Sequence, residues 1–263
     1  MGHLSDSGGP HAPTAGLRIA SYNIHRCVGS DYRCDPARTA KVLQQIDCDI
    51  IALQEVDNRA SARADSMQLD YLAHLTGMQS IAGQTILRHE GHYGNALLTR
   101  REILGVRRHD FSYRGYEPRG ALDVDLACAF GALRLIVTHL GLRAAERRHQ
   151  IKFLMELIDD TPAERMVVVA GDMNEWLPWS RAVRWMNTLC GSAPARPSFP
   201  AWRPLLSLDR IWARGPHSIT TMQALRTPLT RIASDHLPVI ASIGDSDQGI
   251  GGRKRKKKTR ARS

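Results

Sequence analysis

The segment Val167–Trp176 constrains the chain more than any other stretch. Three β-branched residues followed by Ala170 and Gly171 leave no polar edge to turn toward water, so the run reads as a strand buried on both faces. Gly171 is expected to let the backbone turn where the strand ends. Asp172 and, two residues on, Asn174 would then present a carboxylate and an amide on rigid backbone. Gly, Asp and Asn are also ordinary turn residues, and taken alone they say no more than that.

A chain of 263 residues, 43% of them hydrophobic, can bury a full core as one large domain. Cys27, Cys34, Cys48, Cys128 and Cys190 are odd in number and form no Cys-x-x-Cys pair. That argues against a disulfide framework or a zinc site and for a reducing compartment. Met1–Gly16 is polar and lacks the apolar run of a signal peptide or membrane anchor, so it is expected to be a flexible leader and the protein cytoplasmic. Charge is uneven: of the net +10, Arg253–Ser263 supplies eight, which leaves +2 for residues 1–252. Such a tail reads as a solvated, disordered charge run. It also suits an anionic partner, nucleic acid or membrane surface, through attraction that salt would screen.

Leu17–Asn23 alternates as a half-buried strand, Pro36–Ile46 has helical spacing with proline at its start, and Asp49–Leu53 is a second buried strand that runs into Glu55. Asp65–Leu75 reads as a helix stopped by Gly77. Between Met78 and Thr138 short strands follow one another as an antiparallel meander, with a tight connection at Phe130–Ala132. Ala144–Ile158 is the clearest helix, with Arg147, Arg148 and Lys152 off its apolar face. After the central strand come a helix over Pro178–Leu189, a Pro-rich loop over Gly191–Pro204, and strands at Ser207–Ala213, Ile219–Leu225 and Leu237–Ile243. This order fits an α/β fold of four layers, an α/β/β/α sandwich in which two mixed, mainly antiparallel sheets pack face to face with helices outside. The folded unit is expected over residues 17–245, between the leader (1–16) and a disordered basic tail (246–263).

Polar residues recur where these strands stop: Asn23, Glu55, His139, Asp172 with Asn174, Asp209, and Asp235 with His236. Independent surface residues would be scattered, whereas a convergent site needs this placement. Carboxylates and amides are hard ligands that suit Mg²⁺ or Mn²⁺ better than zinc or copper, and such an ion points to phosphoester chemistry. His25, Tyr93, Asn95 and Arg119 are further candidates for binding substrate. Arg119 would meet a phosphate as a planar fork, although most arginines are surface residues.

Seven short motifs in order resemble the endonuclease/exonuclease/phosphatase superfamily. They are Ser-Tyr-Asn-Ile-His at 21–25, Leu-Gln-Glu-Val at 53–56, Gly-Asn-Ala-Leu-Leu-Thr-Arg at 94–100, Thr-His-Leu-Gly at 138–141, Gly-Asp-Met-Asn at 171–174, Leu-Asp-Arg-Ile at 208–211 and Ser-Asp-His-Leu-Pro at 234–238. The chain looks like a short bacterial member of this DNase I-like group. The resemblance implies that Glu55 binds the metal with Asn23 and Asp235 close by, that Asp172 orients or deprotonates the attacking water, and that Asn174 positions the substrate phosphate. It also implies that His236, paired with Asp209, is the central histidine and that His139 is a second one. Asp209 would fix the tautomer of His236 and favour its protonated form.

Family resemblance names a chemistry and leaves the substrate open. The leading expectation is a Mg²⁺-dependent phosphodiesterase, an endo- or exonuclease acting on nucleic acid. The alternative is a phospholipid or sphingomyelin-type head-group phosphodiesterase at an anionic membrane, with the tail on the surface and Trp202 near the interface. A non-catalytic binding module on the same scaffold comes third, because no member of the main residue set is missing. Oligomeric state is not readable from these residues.

Overall fold

The computed structural model describes residues 16–61, 63 and 65–245. The expected leader, apart from Gly16, and the expected tail lie outside them. Strands β1 (Leu17–Asn23) and β2 (Ile50–Arg59) are parallel neighbours joined by helix α1 (Pro36–Ile46). Asp35 starts α1, its carboxylate accepting from the Arg38 amide at 2.8 Å with proline at the first helical position, and Asp47 ends it in the left-handed region. Helix α2 (Gln68–Thr76) begins three residues later than its periodicity predicts. Met67 is instead bridged to Asn58, whose side-chain oxygen accepts from the Leu69 amide at 2.8 Å.

The expected meander is corrected. Strands β3 (Gln79–Arg88) and β4 (Gly91–Thr99) form a hairpin in the first sheet, while β5 (Ile103–Asp110), β6 (Gly120–Cys128) and β7 (Gly131–His139) begin the second. β4 is paired to β2 along one edge and to β3 along the other, so the next strand cannot pair with it, and β5 pairs with β6 in the second sheet instead. The chain then runs through helix α3 (Ala144–Asp159), strand β8 (Met166–Asp172), helix α4 (Arg181–Cys190) and strands β9 (Asp209–Arg214) and β10 (His217–Ala224). The short helix α5 (Thr230–Ala233) and strand β11 (Val239–Asp245) complete it. Sheet order is β10-β11-β1-β2-β4-β3 in the first sheet and β5-β6-β7-β8-β9 in the second.

The four layers are visible in how side chains divide. Ile19, Ile50, Ala52 and Leu97 from the first sheet meet Leu122, Val124, Leu135, Val168 and Ala170 from the second in one shared core. The outer face of the first sheet packs Ile51, Leu53 and Leu98 on α1 and α2, and that of the second packs Ile136, Val167 and Val169 on α3 and α4. Val167 and Val169 thus face the helices while Val168 and Ala170 face the other sheet, as a strand buried on both faces requires. Gly171 does not turn the chain. It stays in β8 between Thr138 and Arg210, and a Cβ there would lie 1.8 Å from the Thr138 carbonyl oxygen.

Candidate active site

β1, β2, β7, β8 and β9 bring their polar residues to one end of the sandwich, and there the two sheets share a site. Asp172, the last residue of β8 and 1% exposed, is its centre. Its Oδ1 accepts from the Asn174 amide at 2.9 Å. Toward Oδ2 converge the Asn23 amide nitrogen at 3.1 Å, His139 Nε2 at 3.4 Å and His236 Nε2 at 3.6 Å. The same Asn23 nitrogen donates to Glu55 Oε1 at 3.0 Å, so one amide holds two carboxylates.

Glu55 is not at a strand end. It lies within β2, where the pairing with β4 shifts register between Leu53 and Val56, and its φ of 58° is in the left-handed region. A bulge of this kind re-aims a side chain while the ladder resumes beyond it, and glutamate carries strain there that glycine would not. Asn174 has a φ of 48°, a conformation asparagine tolerates. Its Nδ2 donates to the Leu140 carbonyl at 2.8 Å and lies 2.9 Å from His139 Nε2.

The two histidines are electrically opposite. Burial by itself depresses His236, but the Asp209 and Asp172 carboxylates outweigh it and push the imidazole up to about 10. Its Nδ1 lies 2.7 Å from Asp209 Oδ2. His139 is lowered to about 3, by burial first and by the Arg119 guanidinium against the opposing pull of Asp172. Arg119 Nη1 lies 3.1 Å from His139 Nδ1. Burial, and after it the Glu55 carboxylate, keeps the Tyr93 phenol protonated.

A cleft of about 530 Å³ opens over this network, with Glu55, Asp172, Asn174, Asp235 and His236 in its wall. Arg119 lines it too, joined by Arg26 and Arg88, neither of which the motifs single out. Arg26 reaches it from the turn His25–Cys27, three successive residues of positive φ braced by Gln68 Nε2 on the Arg26 carbonyl at 2.8 Å. Asn95 is corrected: its amide donates to the Gly120 carbonyl at 3.0 Å, tying β4 to β6, and it does not line the cleft. His25 does not line it either. Its Nδ1 lies 3.1 Å from the Val28 carbonyl and 3.8 Å from Asp235.

Three supports were hidden from sequence. Ser234 Oγ donates to the Asn23 carbonyl at 2.8 Å, the Phe199 ring sits 4.9 Å from the His236 ring, and Arg147 Nε meets Glu175 at 3.2 Å. Arg147 reads as an outward residue of α3, yet it is buried, and its guanidinium also donates to the Leu142 carbonyl at 2.6 Å. Only the position of Glu175, one residue after the Gly-Asp-Met-Asn motif, hinted at such a role.

A metal is implied, and the residues fit one. Glu55 and Asp172 are two carboxylates held to a single amide, and Asp209 Oδ1 is a buried oxygen without a partner. Oxygen donors in that number match a hard divalent ion. Among the described acidic and imidazole groups, Asp172, Asp209 and His236 bring ligand atoms all within 4.8 Å of one another. The hydrogen bond between Asp209 and His236 accounts for much of that closeness. Asn23 turns its nitrogen to Glu55, while its oxygen accepts from the His25 amide at 3.0 Å.

Comparison with known proteins agrees with this architecture. Protein YbhP of Escherichia coli K12 is 33% identical over 245 residues, covering 86% of this chain and 96% of YbhP. The crystal structure of an endonuclease/exonuclease/phosphatase from Beutenbergia cavernae superposes with a TM-score of 0.70 at 21% identity, covering 88% of this chain and 72% of that one. D. rerio TDP2 complexed with single-strand DNA product does so with a TM-score of 0.67 at 18% identity, covering 88% of this chain and 100% of the chain in that structure. The model of the Endonuclease/Exonuclease/phosphatase family matches residues 20–236. The chain belongs to the endonuclease/exonuclease/phosphatase family, whose members are generally hydrolases of phosphoester bonds.

Proposed function

We propose that the protein is a divalent-metal-dependent phosphodiester hydrolase, with Mg²⁺ or Mn²⁺ as the ion. The observation that carries this reading is the convergence of Asn23, His139 and His236 on Asp172 Oδ2 at the base of an arginine-lined cleft. Glu55 and Asp235, both in the cleft wall, would hold the ion, with Asn23 orienting Glu55. An ion bound there neutralises phosphate oxygens and stabilises a leaving alkoxide.

The chain's own groups divide the remaining work. Asp172, carboxylate on a rigid strand end, orients a water and accepts its proton. His236, kept charged by Asp209, donates from Nε2 to a phosphate oxygen. Neutral His139 fixes the Arg119 guanidinium, whose planar fork meets the phosphate. Arg26 and Arg88 add charge at the entrance, whether the diester belongs to a nucleic acid or to a lipid head group.

The test is hydrolysis of bis-p-nitrophenyl phosphate, followed by DNA, RNA, phospholipid, sphingomyelin and inositol phosphates, with Mg²⁺, with Mn²⁺ and with EDTA. His236→Ala is expected to lower kcat by about 10²- to 10⁴-fold, and EDTA to abolish turnover. Turnover that survives both would refute the mechanism.

A further inference from the structure

Three loops surround the cleft, and each carries large apolar side chains into water. Leu142 stands 71% exposed between β7 and α3; Trp176, Leu177 and Trp179 at 61, 48 and 68% between β8 and α4; Trp202 and Leu205 at 60 and 67% between α4 and β9. Leu142, Trp176 and Phe199, one from each loop, line the cleft itself, so the apolar rim is continuous with the candidate site. Single exposed hydrophobics need no explanation, but six on three neighbouring loops form a patch that marks an interaction surface.

The exposed charges flanking the apolar residues within these loops are all of one sign. Arg143 follows Leu142, Arg181 lies two residues beyond Trp179, and Arg203 follows Trp202, all three exposed. Arg231, exposed on α5, donates to the Trp202 carbonyl at 3.2 Å. The acids within 140–148, 173–184 and 191–208 are Glu146 and Glu175, both buried. Tryptophan and leucine flanked by arginine, with no exposed carboxylate inside the three loops and the neighbouring Glu117 paired to Arg119 at 3.5 Å, match the boundary between acyl chains and anionic head groups: the apolar parts enter the chains and the guanidinium groups reach up to phosphate. A single-stranded nucleic acid also stacks on tryptophan. Three aliphatic residues among the six, however, provide no face for a base.

We propose that this rim docks the protein on an anionic phospholipid surface, so that the cleft opens onto the head-group layer. The docking step stands on the rim alone; that the docked cleft hydrolyses a lipid phosphodiester rests on the function proposed above. The experiment uses the full chain with vesicles of phosphatidylglycerol and phosphatidylcholine, reading tryptophan emission and acrylamide quenching at low and at high salt. Residues 246–263 contain no tryptophan, so the signal reports on the body of the chain.

The expected result is a blue shift and reduced quenching on anionic vesicles that persist when salt screens the tail. The double variant Trp179→Ser/Trp202→Ser should keep the wild-type Tm, since both side chains are exposed, and its partition into vesicles should fall by about tenfold. Its hydrolysis of soluble bis-p-nitrophenyl phosphate should stay unchanged. Vesicle binding that ignores the double substitution would overturn the proposal. So would emission that answers to poly(dT) and not to vesicles, or a blue shift that grows with protein concentration alone, which would mean that a second copy of the chain covers the rim. Docking without any metal-dependent hydrolysis would leave the surface assignment standing and remove the hydrolase reading.

Discussion

His236 and His139 are both buried, both lie inside a motif and both point Nε2 at the same carboxylate oxygen, yet their charges differ. The balance of burial and carboxylates decides it: Asp209 and Asp172 together outweigh burial at His236, while burial prevails at His139, which has Asp172 alone and the Arg119 guanidinium against it. The motifs can name both rings, because residue type survives in sequence. Through the resemblance they also pair Asp209 with His236, but they leave the charge of His139 open, since Arg119 meets it only where β6 is brought against β7. Asp209→Asn removes the carboxylate that fixes Nδ1 of His236. It is expected to lower kcat by about 10²-fold with little change in KM, measured on bis-p-nitrophenyl phosphate.

Elements place these side chains through two backbone devices. The bulge in β2 turns Glu55 toward Asn23 without ending the strand, and periodicity alone breaks the strand at Leu53 because Gln54 and Glu55 interrupt the apolar run. Gly171 lets β7 approach β8 where Asp172 and His139 stand paired in register. In sequence it reads as a turn, because the neighbour that forbids a Cβ, the Thr138 carbonyl, lies 33 residues away in the chain. Gly171→Ala must push the strands apart or break their ladder. It is expected to cost about 3 kcal/mol in urea unfolding and to lower activity as well.

At the scale of the molecule, the second sheet is braced by one buried carboxylate. Asp123 on β6 takes hydrogen bonds from Arg107 and His109 of β5 and from Arg134 of β7. Burial favours its neutral form, but those three partners outweigh it and hold the carboxyl below the usual carboxylate range. A depressed folded value means that the stabilisation is complete above the unfolded value of about 3.9 and is lost as pH falls through the folded one. Asp123→Asn is expected to cost about 3 kcal/mol at neutral pH, the low end for a buried pair because Arg107 reaches solvent. The urea midpoint of the variant should fall less than that of the wild type between pH 5 and pH 2, a range chosen to span about one unit above and two below the unfolded value.

What the sequence determined by itself was whatever depends on near neighbours. The valine run at 167–169 is buried on both faces wherever it packs, helix spacing is local, and the seven motifs carry the family and most of the residues that converge. Tertiary structure decided the rest: which sheet takes the β3–β4 hairpin, why Gly171 is glycine, that Asn95 ties the two sheets, that Arg147 supports Glu175, and that His139 is neutral. These depend on contacts across long separations, 149 residues in the case of Asn23 and Asp172. Desolvation and hydrogen-bond partners exist only once those separations have closed.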